Sequence, residues 1–361
     1  MPVKGEQKFM RKKCIRIVAL LMIVCVGSLC GCVSIQKQDK EANQRGALEE
    51  EKPLSDLPGK NRDHIVVGFS QVGSESDWRN ASTESFRNMF TAENGYYLLY
   101  EDAQQKQENQ LKDVRNFILQ EVDYIVLDPI VETGWDTVLK EAKDAGIPVI
   151  LVDRTVEVEN DDLYTCWVGS NFEEEGRRAG EWLESYLKWQ ERENDRIRIV
   201  TLQGTLESSS QIGRTQGFLK VLDANKKWEM LERRSGEFTQ AKGKEVMDDF
   251  LSTYKDIDVV ISENDNMTFG AIEAIEAAGK SCGPAGDIIV ISFDAVQAAL
   301  ELMKRGKINA DFECNPILGP FVSDIIQRLE RGQEVEKIHY VQEQYFDASM
   351  NLEEILKKRE Y

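Results

Sequence analysis

A two-lobed α/β fold, with a doubly wound parallel sheet in each lobe, is what this sequence predicts. From residue 65 onward, short apolar runs alternate with segments of helical periodicity. Strands that are apolar on both faces belong to sheets covered by helices on two sides, and such sheets are mostly parallel. One strand–helix–strand pattern then occurs twice, which indicates two lobes of similar construction.

Three strands of the first lobe are predicted where apolar residues run without interruption, at residues 65–69, 124–127 and 147–152. Between the last two strands, apolar residues recur at the spacing of one helix face, namely Trp135, Val138, Leu139 and Ala142. The second lobe repeats this arrangement after residue 170, with strands predicted at residues 197–202, 259–261 and 288–291.

The repeated pattern places an aspartate at corresponding positions of the two lobes. In the first copy, the strand at 124–127 leads through a helix to a strand followed by Asp153. In the second copy, the strand at 259–261 leads through a helix to a strand followed by Asp294. Ligands of open α/β sheets bind beyond the carboxyl ends of the strands. We therefore expect both aspartates to face one cleft, the alternative being chance similarity of two generic segments.

The amino-terminal segment resembles a bacterial lipoprotein signal. Six basic residues flank an apolar run at residues 17–26, which is short for a membrane span. The run is followed at 29–32 by Leu-Cys-Gly-Cys, similar to a lipobox. We predict a lipoprotein signal peptide at 1–31, and a lipid anchor on Cys32 with a flexible polar tether at 32–62. A cleaved signal peptide without lipid, or a short membrane anchor, is the alternative.

Composition excludes several classes of function. The net charge of −19 repels phosphate backbones, so we expect no nucleic-acid partner. Beyond the targeting segment the chain has three widely spaced cysteines and only two histidines, which predicts neither a disulfide framework nor a metal site. The motifs GxSxG and HExxH and the P-loop motif are absent from the sequence. We expect no cofactor and no enzyme activity.

Polar and aromatic residues collect just past the predicted strand ends of both lobes. They include carboxylates, arginines, an amide, Trp78 and Phe238. Sugar hydroxyls donate to carboxylates and accept from guanidinium and amide groups, while the C–H faces of a sugar ring pack on aromatic rings. This set predicts a sugar site. Other roles stay open: Asp153, Asn264 and Asp294 as helix caps, Arg79 as a solvated cation, and the two aromatics as core.

Beyond residue 63 the sequence resembles the type I periplasmic sugar-binding proteins of the ribose-binding group, and within it the galactofuranose binders. The resemblance covers nearly all of residues 64–346 and is carried by the segments 67–76, 78–79, 104–110, 133–135, 139–145, 153–154, 202–205, 236–238 and 242–247. It implies nine ligand-binding residues: Glu75, Trp78, Arg79, Asp153, Arg154, Arg214, Phe238, Asn264 and Asp294.

Three places depart from the pattern of that group: residue 77, the segment 294–297 and residue 314. Asp77 stands where the galactofuranose binders have glycine, and residues 294–297 read Asp-Ala-Val-Gln instead of Asp-Gly-Val-Pro. Cys314 stands near a hinge crossing where the ribose binders have an amide. All three lie at the edge of the expected site, so they bear on which sugar is bound.

The resemblance also implies three chain crossings between the lobes, near residues 169–171, 314–315 and 341–343. The amino-terminal lobe would then comprise residues 63–169 with 315–341. The carboxy-terminal lobe would comprise residues 170–314 with 342–361.

The implied function is that of a monomeric solute-binding lipoprotein at the outer face of the cytoplasmic membrane. It would capture a monosaccharide, with a galactofuranose-like sugar favoured, and deliver it to an ABC permease with its cytoplasmic ATPase. A sugar sensor that docks on a membrane receptor or sensor kinase is one alternative. A glycoside hydrolase using Asp153 and Asp294 as acid and base is a more remote one. Repressors that share this body are excluded, because a signal peptide stands where their DNA-binding helices would be.

Overall fold

A computed structural model of the chain describes residues 64–361. The predicted signal peptide, Cys32 and the tether lie outside the described residues. The strands are β1 (Ile65–Gln71), β2 (Tyr96–Asp102), β3 (Tyr124–Leu127), β4 (Val149–Val152), β5 (Cys166–Gly169), β6 (Ile197–Gln203), β7 (Trp228–Ser235), β8 (Val259–Ser262), β9 (Ile289–Asp294), β10 (Ala310–Glu313), β11 (Ile338–Tyr340) and β12 (Tyr345–Asp347). The helices are α1 (Asp77–Met89), α2 (Gln107–Leu119), α3 (Asp136–Asp144), α4 (Phe172–Trp189), α5 (Ser209–Ala224), α6 (Gln240–Thr253), α7 (Asp265–Ala277), α8 (Gln297–Lys304), α9 (Gly319–Glu330) and α10 (Leu352–Leu356).

Two six-stranded sheets confirm the predicted two-lobed fold. Their strand orders are β11-β5-β4-β3-β1-β2 in the first lobe and β12-β10-β9-β8-β6-β7 in the second. The central strands pair in parallel in both sheets, and β12 pairs with β10 in antiparallel orientation. The order β4-β3-β1-β2 corresponds to β9-β8-β6-β7, so the repeat read from the sequence is real. The six predicted strands are present, with ends that differ by at most three residues.

The chain passes between the two sheets three times. It leaves the first sheet after Gly169, at the end of β5, and enters α4 of the second lobe at Phe172. It leaves the second sheet after Glu313, at the end of β10, and continues into α9, which packs on α1 of the first lobe. It then adds β11 to the first sheet and β12 to the second.

Each sheet is covered on both faces by a hydrophobic cluster. In the first lobe one cluster includes Phe69 and Phe86, and the opposite one includes Phe117 and Trp135. Burial of such side chains stabilises each lobe by about 1.5–3 kcal/mol per large residue. Among the described residues no helix is long and apolar enough to cross a membrane.

Helices α4 and α5 of the second lobe touch backbone to backbone. A Cβ atom added at Gly176 would lie 2.1 Å from the carbonyl oxygen of Arg214, and one added at Gly217 would lie 2.0 Å from that of Glu173. Only glycine permits this approach. The contact fixes the start of α5, and with it Arg214, against α4.

Candidate functional site

One cavity lies between the carboxyl ends of the two sheets, and all nine of the residues implied at the ligand line it. The lining side chains approach one another so closely that a volume of only ≈ 20 Å³ stays open between them, about the room of one or two water molecules. Three further lining residues were not among the nine: Ser76, Ser210 and Cys314. Cys314 is one of the positions where the sequence departs from the pattern that it otherwise resembles.

The two lobes are closed over this cavity. The indole Nε1 of Trp78, on α1 of the first lobe, donates to the carbonyl oxygen of Cys314 at 2.7 Å, where the chain leaves the second lobe. The backbone N–H of Thr155 donates to Ser209 Oγ at 2.9 Å, and that of Glu132 donates to the carbonyl oxygen of Glu207 at 3.0 Å. The structure is therefore that of the closed form.

Arg79 is the centre of the charge network on the first-lobe side. It lies in the first turn of α1, whose N-cap is Ser76, and it is 3% exposed. Its guanidinium pairs with Glu75 and with Asp153, each at 3.0 Å, and also with Asp128. Three buried carboxylates thus offset the unfavourable position of a cation at a helix N-terminus. The alternative of a solvated Arg79 is wrong.

Burial and neighbouring charges shift the pKa values of this network in different directions. Burial lowers the pKa of Arg79, but Asp128, Glu75 and Asp153 together raise it above its usual value. Burial raises the pKa of Asp128 well above its usual range, against the effect of Arg79. For Glu75 burial acts upward as well, yet Arg79 and Arg154 hold its pKa below the usual value. The network therefore favours the charged forms of Glu75 and Arg79 although both side chains are buried.

Two buried polar atoms at the cavity have no hydrogen-bond partner among the described residues: Glu75 Oε2 and Arg154 Nε. Arg154 is 2% exposed; its Nη1 donates to the carbonyl oxygen of Ile130 at 3.1 Å, and its Nε lies 3.8 Å from Asp153. Burial and the neighbouring Arg79 lower its pKa. Unpaired buried groups are costly, so a free acceptor and a free donor at one cavity indicate a polar ligand that pairs with both.

Arg214 has the corresponding role on the second-lobe side. Its guanidinium pairs with Glu175 at 2.7 Å and with Asp294 at 3.4 Å, and it donates to the carbonyl oxygen of Glu263 at 2.5 Å. The aromatic ring of Phe293 lies 5.1 Å from it. Burial raises the pKa of Asp294 well above its usual range, with Arg214 acting in the opposite direction.

Of the three residues that could be helix caps, Asn264 is one, and Asp153 and Asp294 are not. Asn264 is the N-cap of α7: its Oδ1 accepts from the backbone N–H of Met267 at 2.9 Å, and its Nδ2 donates to the carbonyl oxygen of Phe238 at 3.0 Å. Asp294 caps no helix, because the N-cap of α8 is Val296. Asp153 precedes a loop rather than a helix.

Three cavity residues have backbone conformations that favour glycine. The φ angles are 57° for Asp153, 60° for Phe238 and 106° for Asp294. Such strain of roughly 1–3 kcal/mol per residue persists only where the surroundings enforce it, and it concentrates at functional sites. Here it turns the side chains at the strand ends toward the cleft.

Trp78 and Phe238 are both core and cavity residues. Both pack in the apolar cluster of the second lobe, although Trp78 belongs to a helix of the first. The Phe238 ring lies under the guanidinium of Arg154, 5.2 Å away, and against Gly204, where an added Cβ would come within 1.9 Å of the ring. These contacts fix two flat aromatic surfaces at the cavity.

A cluster of protonatable side chains joins the three crossings behind the cavity. Ser170 donates to Glu343 and lies 3.2 Å from Cys314 Sγ, and Glu343 also accepts from the backbone N–H of Asn315 at 2.9 Å. Ligand atoms of Glu175, Cys314 and Glu343 all lie within 4.8 Å of one another, a spacing that a metal ion could use.

Burial raises the affinity of this cluster for protons. Burial, with a further effect from Glu175, raises the pKa of Glu343 to about 9, and burial raises that of Cys314 well above its usual value. A protonated Glu343 can donate to Glu175 Oε1, which otherwise has no partner among the described residues. The two carboxyl groups then share one proton.

This shared proton predicts a pH dependence of stability. The folded protein keeps a proton on Glu343 that the unfolded chain releases near its ordinary pKa of 4.5, so the free energy of unfolding falls as pH rises from about 4.5 to about 9. In Glu343→Gln the fall is expected to be smaller, because the amide donates to Glu175 at every pH. Urea unfolding across this range measures both slopes. The exposed Glu334→Gln is the control, and equal slopes in all three proteins would contradict a buried proton.

Comparison with known proteins gives a consistent result. Residues 67–316 match the model of a periplasmic binding protein domain. The chain is 38% identical over 299 residues to the galactofuranose-binding protein YtfQ of Escherichia coli, covering 82% of this chain and 92% of that protein.

Solved structures of high similarity include the periplasmic binding protein component of the arabinose ABC transporter from Shewanella sp. ANA-3, bound to L-arabinofuranose. It is 40% identical with a TM-score of 0.77, over 82% of this chain and 96% of that one. A protein of Mycobacterium smegmatis in complex with β-D-fucofuranose is 39% identical with a TM-score of 0.76, over 81% and 97%. With its paired six-stranded sheets and interlobe cavity, the chain belongs to the periplasmic binding protein family.

Proposed function

We propose that this protein captures a monosaccharide between its lobes and delivers it to an ABC importer. The observation that carries the proposal is the pair of unpartnered atoms at one closed cavity, Glu75 Oε2 and Arg154 Nε. A hydroxyl group can donate to the first and accept from the second. A neutral polyol therefore satisfies both, whereas an inorganic anion would leave Glu75 unpaired and repelled.

The aromatic and charged walls agree with a sugar. Trp78 and Phe238 offer flat surfaces for the C–H faces of a ring. Arg79 and Arg214 are already neutralised by carboxylates, so the cavity does not demand a charged ligand. The relatives named above bind galactofuranose, arabinofuranose or fucofuranose, which supports a five-membered ring form as the preferred ligand.

The three crossings support a hinge that closes on the ligand. Hinge closure is the motion described generally for periplasmic binding proteins. A sugar that bridges Arg154 of the first lobe to Asp294 of the second favours the closed form, since it binds that form better. The closed lobes would then be what the membrane permease recognises. Lipidation of Cys32 would keep the protein at the outer face of the membrane. We expect the protein to act there as a monomer.

Isothermal titration calorimetry tests the proposal with galactose, arabinose, ribose, glucose and a methyl galactofuranoside. We expect the galactofuranoside to bind with full stoichiometry. Galactose is expected to reach equivalence only at a total ratio of sugar to protein far above one, because its furanose forms are a minor fraction. A sugar that binds only in its six-membered form would refute the furanose preference, and no heat with any sugar would refute a sugar site.

Replacing Arg154 by methionine separates binding from folding. We expect sugar affinity to fall by about tenfold to a hundredfold, the equivalent of a hydrogen bond to a charged group. The free energy of unfolding without ligand is expected to stay the same or to rise, since Arg154 is repelled by Arg79 and its Nε is unpaired. Titration and urea unfolding measure the two effects. Unchanged affinity would contradict the role assigned to Arg154.

A further inference from the structure

We propose that Arg359 is a positioning residue of the binding site, which holds the turn at Asp294 and Ala295 so that the Asp294 carboxylate points into the cavity. The effect on affinity rests on the proposed function. The effect on the turn itself does not. Arg359 does not line the cavity and lies in the segment after α10.

The guanidinium of Arg359 reaches the backbone behind the site. Its Nε donates to the carbonyl oxygen of Ala295 at 2.7 Å, and its Nη2 donates to that of Asp294 at 3.4 Å. Its Nη1 pairs with Glu313 Oε1 at 2.5 Å. Asp294 ends β9, and Glu313, its partner in register, ends β10. One side chain thus ties together the ends of two neighbouring strands.

The turn needs such support because its backbone is strained at two successive residues. Asp294 has φ 106° and Ala295 has φ 56°, and neither is glycine. Side chains with a Cβ rarely adopt this region. Where the galactofuranose binders resembled by this sequence have glycine, this chain has a fully buried alanine. Hydrogen bonds to both carbonyl groups favour the conformation that points Asp294 at the cavity and Arg214.

Arg359 itself is held rigidly. Its guanidinium lies 4.0 Å from the centre of the Tyr361 ring and 5.2 Å from that of Phe346. The hydroxyl of Tyr361 donates to Glu313 Oε1 at 2.9 Å. The backbone oxygen of Tyr361 accepts from the backbone N–H of Gln297 at 2.7 Å, at the start of α8. The segment after α10 therefore contacts both the turn and the beginning of the helix that follows it.

A purely structural ion pair with Glu313 is the competing interpretation. It predicts a loss of global stability with no selective change at the turn. Positioning predicts a local change, detectable in the ligand-free protein as faster hydrogen exchange of the amides of Ala295 and Val296. These amides donate to Asp311 and Asp265 at 3.1 and 2.8 Å. Release of the turn would open these bonds first.

The test uses the full chain with Arg359→Met, and with Arg359→Lys as a milder variant that keeps the charge. Lys358→Met is the matched control, because Lys358 is exposed and pairs only with Glu354 among the described residues. We expect amide exchange in residues 294–297 to become about tenfold faster in Arg359→Met, with an intermediate effect of lysine and none in the control. Exchange in residues 153–156 of the first lobe is expected to stay unchanged. Unchanged exchange in 294–297 would overturn the proposal.

Sugar titration of the same variants tests the consequence for binding. We expect affinity to fall by about tenfold in Arg359→Met. Adding Ala295→Gly is expected to restore part of it, since glycine adopts positive φ without strain. If the unaltered protein binds sugar and Arg359→Met binds it equally well, the positioning role is wrong. If no protein binds any sugar while exchange still changes, the proposed function fails and the control of the turn by Arg359 stands.

Discussion

Replacing Arg79 by methionine is expected to lower the free energy of unfolding by about 3–5 kcal/mol. Methionine fills a similar volume but leaves three buried carboxylates, on Glu75, Asp128 and Asp153, without their shared cation. Removing one partner of a buried ion pair is costly because the remaining charge cannot be solvated. Urea unfolding at neutral pH measures the loss. The deficit is expected to shrink as pH falls, since the carboxyl groups then take up protons.

The same helix provides a control for this substitution. Arg87 lies in the last turn of α1 and forms an ion pair with Glu84 in which both side chains are more than half exposed, at 51% and 58%. Exposed pairs contribute about 0–1 kcal/mol, so Arg87→Met should hardly change stability. Equal losses in the two variants would show that the Arg79 network is not the source of the effect.

Replacing Gly204 by alanine is expected to lower sugar affinity by roughly 30-fold, or about 2 kcal/mol, the value of a buried aromatic contact. The new Cβ would lie 1.9 Å from Cζ of Phe238, so the ring must leave its place. That movement removes the ring from beneath Arg154 and from the cavity wall. Overpacking should also reduce the free energy of unfolding by about 1–3 kcal/mol.

A double-mutant cycle isolates this steric cause. In a Phe238→Ala background the ring is absent, so Gly204→Ala should have little further effect on affinity. Titration calorimetry of the four proteins gives the coupling between the two positions. Additive losses would mean that Gly204 acts through another contact and that Phe238 does not depend on it.

The sequence predicted those parts of the fold that have a strong local signal. Strands such as β3 and β8 are buried on both faces and appear as unbroken apolar runs. The edge strands β2 and β7 are only half-buried, and β7 is rich in charged residues, so no apolar run marks it. In β2, residues 96–100 form a run of tyrosine and leucine that the reading of the sequence did not use. The short strands β11 and β12 owe their existence to pairing with distant strands, which a local pattern cannot show.

The site was predicted where residues follow strand ends, and its second layer of charges was missed. Asp128 directly follows β3, yet nothing in the local sequence shows that it pairs with Arg79. Glu175 lies in the first turn of α4, where an acidic residue is also expected for the helix dipole. Its pairing with Arg214 depends on the approach of two helices, a tertiary property. The strained φ angles at Asp153 and Asp294 likewise have no sequence signal other than position.

The glycine contact between α4 and α5 couples the position of Arg214 to that of α4, the first helix of the second lobe. The crossing at Ser170 lies two residues before α4. The carbonyl oxygen of Arg214 lies against Gly176 of α4, and the guanidinium of Arg214 pairs with Glu175 of the same helix. Because no side chain separates the two backbones here, we expect a rotation of α4 at this crossing to move Arg214 with it. Substitutions at this crossing are therefore expected to change the affinity for the sugar, although the substituted residues do not contact it.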